Sequence, residues 1–180
     1  MIYDLLFLGA TSLACGWIAS AGRGLRCAVV DSGGLAGADF SASWHSAAVP
    51  EDACPPSARP LYEELRARRA VTGSGTLHLP ALSPVLSAGL RREGADAYFF
   101  SRIRQLSRMQ EGFSVRVVTA FGQTLTLRAR RIVDTTPDFA SRAFFGEPAP
   151  STARSLACAL TPEARSLPGV RPGAFGEAVY

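Results

Sequence analysis

Apolar and polar positions fall into two rhythms along the first part of the chain. Residues 3–8, YDLLFL, form a short apolar run with one early acid, the pattern of a strand buried on both faces of a parallel sheet. Gly9 breaks the run. Beyond it Leu13, Ala14, Trp17, Ile18 and Ala21 recur at helical spacing, with Thr11 or Ser12 as a capping hydroxyl and Gly22 and Gly24 ending the helix. RCAVVD, 26–31, is again a short apolar strand, now closed by an acid. Strand, tight turn, helix and strand within about 30 residues is the size of a βαβ unit.

The stretch from Ser32 to Pro60 is rich in Gly, Ser, Ala and Pro and reads as loop. PLYEELRARRAV, 60–71, predicts a helix with proline in its first turn, and PVLSAGLRR marks a second helix over 82–92. ADAYFFSRI, 95–103, reads as a third buried strand. Between 113 and 134, Phe113, Val115 and Val117 alternate with Ser114 and Arg116, a turn falls at Gly122-Gln123, and Leu125 and Leu127 resume the alternation. That is a hairpin running into a further strand, RRIVDTT. The tail beyond Pro137 is proline-rich, with a strand candidate at SLACAL, 155–160, and the chain contains no internal repeat. The fold class expected is α/β: a Rossmann-like domain over 1–142, with a parallel sheet plus a β-hairpin or meander, followed by a tail over 143–180.

Composition narrows the function classes. With 47% hydrophobic and 19% charged residues the chain can build a packed core. Its +4 charge comes from 19 arginines and no lysine, spread along the chain with short clusters only at 66–69 and 128–131, which argues against a nucleic-acid face. Cysteines at 15, 27, 54 and 158 have no Cys-x-x-Cys spacing, and only His45 and His78 offer imidazoles, so a structural zinc site is not expected. Nothing demands a disulfide, which suits a reducing, cytoplasmic compartment. Residues 5–22 carry no charge and invite a signal-peptide or membrane reading. Against it, Asp4 precedes the run, the first positive charge is Arg23, and Gly9 divides it into a strand-like and a helix-like piece.

A dinucleotide site needs backbone amides at a helix N-terminus facing the pyrophosphate, and glycines that allow the turn and the close approach. In GATSLA the places of G-x-G-x-x-G hold Gly9, Thr11 and Ala14. Only the first glycine is present, and Thr11 sets a β-branched side chain where phosphate should come close. Asp31 strengthens the motif: it lies 22 residues past Gly9, at the end of the second strand, where an acid can accept from ribose hydroxyls. Other candidates are weaker. His45 stands in a loop, His78 has no evident catalytic partner, and Ser74 in GSGT is not a nucleophile elbow. Asp134 and Asp138 read equally as paired carboxylates or as capping and loop acceptors.

GATSLACG, VVDSGGLAG, GADAYFFSRI, the 113–129 hairpin and ARRIVDTTPD, in that order, resemble the FAD-dependent oxidoreductases of the glutathione-reductase-like superfamily. The branch most similar carries GGGPAG, VEKGGFLGG and VIDATGD, and the resemblance covers roughly residues 3–142. It implies that amides around Thr11, Ser12 and Leu13 face the pyrophosphate, that Asp31 holds the adenosine ribose, and that Ser32, Gly33 and Gly34 form the loop after it. It also places Ile103 where main-chain groups hold adenine, and Thr135 and Thr136 at the end of the VIDATGD-like strand. Two glycines of the first motif are replaced, and Pro137 stands where the signature has glycine, removing an N–H.

The resemblance further implies a second sequence half that closes over the flavin ring, so an FAD-binding component would depend on another polypeptide for it, with 143–180 beginning a partner-facing region. Two other readings stand beside this one: a structural subunit that keeps the fold without cofactor, and an NAD(P)-dependent reductase. A hairpin placed before the last strand is the flavoprotein arrangement rather than the NAD(P) one. Neither nucleic acid nor membrane is expected as a partner.

Overall fold

The computed structural model describes residues 1–42, 46–48, 51–147, 171–172 and 178–179. The apolar run after Ile2 forms strand β1 (Tyr3–Leu8), and helix α1 (Ser12–Ala21) starts at an N-cap Thr11 whose hydroxyl accepts from the Ala14 amide. Strand β2 (Cys27–Val30) follows, buried throughout. The unsignalled stretch after it carries a short helix, α2 (Ala38–Ser41), and strand β3 (Ser46–Ala48). Helix α3 (Arg59–Ala67), strand β4 (Thr76–His78), which pairs with β3, and helix α4 (Leu82–Arg92) complete the helical layer. Strands β5 (Asp96–Tyr98), β6 (Arg102–Arg108), β7 (Phe113–Val118) and β8 (Thr124–Asp134) precede a one-turn helix, α5 (Ser141–Phe144). Farther on, β9 (Arg171–Pro172) pairs antiparallel with β10 (Ala178–Val179); residues 155–160 and His45 lie outside the described residues.

The principal sheet has the order β5-β2-β1-β8-β7-β6. Strands β5, β2, β1 and β8 run parallel, and β8, β7 and β6 form an antiparallel meander. Strand β8 serves both parts: Thr124–Ala129 pairs with β7, and Ala129–Asp134 pairs with β1. The inner strands have two buried faces, which explains their unbroken apolar composition. Phe7, Cys27 and Val29 face Ile18, Leu65, Val85 and Leu86 of the helices. Leu6, Leu8, Ala28 and Val30 face Leu106, Val115, Val117 and Leu127 of the meander. The chain is therefore an α/β protein with a Rossmann-like parallel sheet between a helical layer and a meander.

Three expectations change. The strand anticipated over 95–103 is two strands at opposite edges of the sheet. Phe100 takes a left-handed φ of 50°, its amide donates to Gly33 O, and Ser101 N donates to Asp31 O, so the chain crosses the strand ends there. Its first part, β5, is an edge strand with Asp96 and Ala97 exposed rather than buried. The helix anticipated to 71 stops at Ala67 because Arg69 turns left-handed (φ 58°) and brings the Ala70 amide back to Leu65 O. Within the stretch anticipated as loop, α2 and β3 are regular. The uncharged run 5–22 is divided between β1 and α1, and among the described residues no helix is long and apolar enough to cross a membrane.

Helices α1 and α4 cross closely: a Cβ at Gly89 would lie 2.5 Å from the Ala19 Cβ, so only glycine fits at this approach. Leu86, 1% exposed, fills the space beside it. Leu86→Ala is expected to lower stability in urea unfolding by about 2–5 kcal/mol, the range for a truncated core leucine. Phe121→Ser, at the 91% exposed tip of the β7–β8 turn, should stay within about 0.5 kcal/mol of the wild type.

Candidate functional site at the strand ends

The turn between β1 and α1 is built by long-range contacts. Gly9 has φ +91°, and its amide donates to Val30 O at 2.8 Å. The chain leaving β8 closes over it: the Thr135 hydroxyl lies 3.1 Å from Leu8 O and 3.0 Å from Gly9 O, donating toward these carbonyls. A Cβ at Gly9 would stand 3.1 Å from Thr136 Cγ2 and 3.2 Å from Thr136 N. Glycine is needed here for both its conformation and its lack of a side chain.

Asp31 follows β2 directly. Its Oδ2 accepts from the Ala10 amide at 2.6 Å and its Oδ1 from the Gly33 amide at 2.5 Å. A carboxylate has about four lone-pair positions, so the two bonds orient the group and leave acceptor capacity. Asp31 lines a cavity of about 390 Å³ with Gly9, Ser32, Arg102, Ile103 and Thr136, bounded on one side by Ala140 and Phe144 around α5. This size falls in the range of small-molecule sites. The cavity opens at the carboxyl ends of the parallel strands, where open α/β sheets bind ligands.

Of the candidates from sequence, Gly9, Asp31, Ser32, Ile103 and Thr136 thus share one cavity, and Gly33 orients Asp31. The others are placed differently. Ala14 is fully buried, and Thr11, 8% exposed, turns inward as the helix cap. The Thr11 hydroxyl takes the Ala14 amide, and the outward-facing amide of the helix N-terminus is that of Ser12. It is met by Asp39 of α2, whose Oδ1 accepts from the Ser12 amide at 2.7 Å and from the Ser12 hydroxyl at 3.1 Å. Leu13 is 69% exposed and, with Thr135, opens onto a different groove. Sequence reading missed Asp39, whose only signal was an acid just after Gly37 in a stretch read as loop.

Asp134 acts as a capping acceptor. It accepts from the Thr136 amide (2.9 Å), the Thr136 hydroxyl (2.5 Å) and the Ser141 amide (2.7 Å), tying β8 to α5. Burial alone would raise the Asp134 carboxyl, but the hydrogen bonds from Ser141 and Thr136 outweigh it and hold it below the ordinary value. Ser74 bonds Thr72 and Thr76 within its own turn. Cys15, Cys27 and Cys54 are free and buried, and burial foremost pushes the Cys15 thiol up to about 12, with Asp39 and Asp31 adding to the shift. Among the described residues no cluster of His, Cys, Asp and Glu has metal-site geometry.

Two grooves flank the second half of β8. On the helix side, one of about 590 Å³ is lined by Leu5, Phe7, Leu13, Trp17, Leu25 and Val133. On the meander side, one of about 460 Å³ is lined by Leu106, Phe113, Ile132, Asp134, Ser141 and Phe145. Between them, β7 pairs β8 only as far as Ala129, so from Arg130 to Asp134 the strand has β1 on one side and no strand on the other among the described residues.

No family model and no curated protein matches the sequence. Solved structures do match the fold. p-Nitrophenol 4-monooxygenase from Pseudomonas putida DLL-E4 aligns over 81% of this chain and 42% of its own, with a TM-score of 0.59 and 14% identity. A flavoprotein/dehydrogenase from Cytophaga hutchinsonii gives the same coverage and TM-score at 12% identity. Aklavinone-11 hydroxylase, solved with FAD and aklavinone, covers 80% of this chain and 35% of its own, with a TM-score of 0.54 and 17% identity. The chain thus shares a fold with flavoprotein structures and spans less than half the length of these three.

The Asp134 contacts carry a pH dependence. A carboxyl lowered in the folded state stabilises the fold above its ordinary value of 3.8, and that contribution fades as the pH falls through the folded value. The melting-temperature gap between wild type and Asp134→Asn should therefore be widest near neutrality and shrink below about pH 4. A gap independent of pH would show that the charge on Asp134 does not contribute.

Proposed function

We propose that this chain is the FAD-holding component of a flavin-dependent oxidoreductase, binding the ADP moiety, with the rest of the active site supplied by another polypeptide. The observation that carries this reading is Asp31. Two backbone amides fix its carboxylate beside the 390 Å³ cavity at the strand ends, with acceptor capacity left for ribose hydroxyls. Gly9, Ser32 and Ile103 surround the space an adenosine would take. A solved structure of the same fold that holds FAD supports the choice of dinucleotide. When bound, the flavin supplies the redox chemistry, and this chain supplies binding and orientation.

The need for a second polypeptide rests on the uncovered part of β8. Among the described residues the Arg130–Asp134 edge pairs with no strand on one side, and it has a largely apolar groove on the helix face and a mixed groove with Arg108, Asp134 and Glu147 on the meander face, a surface suited to an added strand. A cofactor-free structural subunit is the second reading, favoured by the Asp39 carboxylate at the helix N-terminus.

Calorimetric titration tests the first reading. Asp31→Ala should weaken ADP or FAD binding by about 1.5–3 kcal/mol, the cost of a charged hydrogen bond. Equal affinities would leave Asp31 as a brace for the turn alone. Light scattering after size-exclusion chromatography tests the partner. A well-behaved monomer of 19.0 kDa that binds flavin unaided would contradict the requirement for a second polypeptide.

A further inference from the structure

The proposed site presents two carboxylates to one turn, and they do different things. Asp31 holds Ala10 and Gly33 from the side of β2. Asp39 sits over the first turn of α1, where the unpaired amides and the helix dipole favour an anion. The segment that carries it is well fixed: Ala36 and Gly37 are buried, Gly37 N donates to Ala10 O at 2.6 Å, and a Cβ on Gly37 would meet both Leu86 and the Ser12 hydroxyl. The Asp39 side chain is nevertheless exposed, so its carboxylate can rotate into solvent without the segment unfolding.

Resting on the reading above, we infer that Asp39 is an internal stand-in for phosphate: its carboxylate takes the Ser12 amide in the unliganded chain and must leave before a diphosphate docks. The 390 Å³ cavity does not include Asp39, so an uncharged nucleoside binds there without displacing it. A ligand carrying a diphosphate toward α1 meets both the occupied amide and the negative charge. Asp39 thus sets how much the phosphates add to the affinity for the nucleoside, and it caps α1 when no ligand is present.

The experiment compares adenosine, ADP and inorganic pyrophosphate by calorimetric titration against the wild type, Asp39→Asn and Asp39→Ala. Asp39→Asn keeps an acceptor for Ser12 and removes the charge; Asp39→Ala removes both. Circular dichroism confirms that each variant is folded. Adenosine should bind all three proteins alike. ADP should bind Asp39→Ala roughly tenfold or more tightly than the wild type, a step of the size available to an anion at a helix N-terminus. Asp39→Asn should fall between, and pyrophosphate should follow the order of ADP. The unliganded Asp39→Ala chain should also melt lower than the wild type, through loss of the contact to Ser12. Adenosine binding with ADP unchanged or weakened in the variants would overturn the role of Asp39 and leave the nucleoside site standing. No binding of any probe to any of the three proteins would overturn both.

Discussion

Asp31 ties two segments together that would otherwise meet only through backbone pairing. One carboxylate oxygen takes the amide of Ala10, which opens the turn into α1, and the other takes the amide of Gly33, which begins the path toward α2. The turn at Gly9 is held from the opposite side by Thr135 and Thr136, and the backbone of Asp31 pairs with Tyr98 and Ser101. Ends of β1, β2, β5 and β8 therefore converge within a few hydrogen bonds of one acid. The cavity at the strand ends exists because these four ends are fixed relative to one another. Charge-assisted bonds to amides are among the stronger hydrogen bonds of a folded chain, so this constraint is stiff.

Among the described residues, the same constraint separates a side of the sheet covered on both faces from a strand edge paired on one side. Where β2 and β1 lie between helices and meander, both faces of the sheet are buried. Past Ala129, β8 leaves the meander and among the described residues follows β1 alone, with grooves above and below it. Leu13 at 69% exposure and Val133 at 36% belong to this side. Contiguous apolar surface of this kind marks interaction sites in soluble proteins. The 390 Å³ cavity and the strand edge, open among the described residues, meet around Asp134 to Thr136, so a partner covering the edge would lie next to the proposed cofactor.

The local elements were legible where a short apolar run or a helical repeat carried its own boundary signals. β1, α1, β2 and α4 lie where periodicity and glycines put them, and the second helix matches 82–92. The acid at position 31 was legible because strand-end position and spacing act together. What was not legible depended on contacts distant in sequence. Phe100 breaks 95–103 into two strands through a left-handed turn bonded to Gly33, which no local pattern announces. Thr135 and Thr136 pack on Gly9 across more than half the chain. Asp39 reaches Ser12 only because the segment after β2 folds back over the turn, a contact that the glycine motif itself does not announce.

The most direct test is to record amide resonances of the isotope-labelled chain as ADP is added. Binding at the strand ends requires shifts that converge on Gly9, Ala10, Ser12, Asp31, Gly33 and Ile103, while Leu106, Val115 and Leu127 in the meander core stay unmoved. Shifts confined to the groove beside Leu5, Trp17 and Val133, or none at saturating ADP, would contradict a dinucleotide site at this turn.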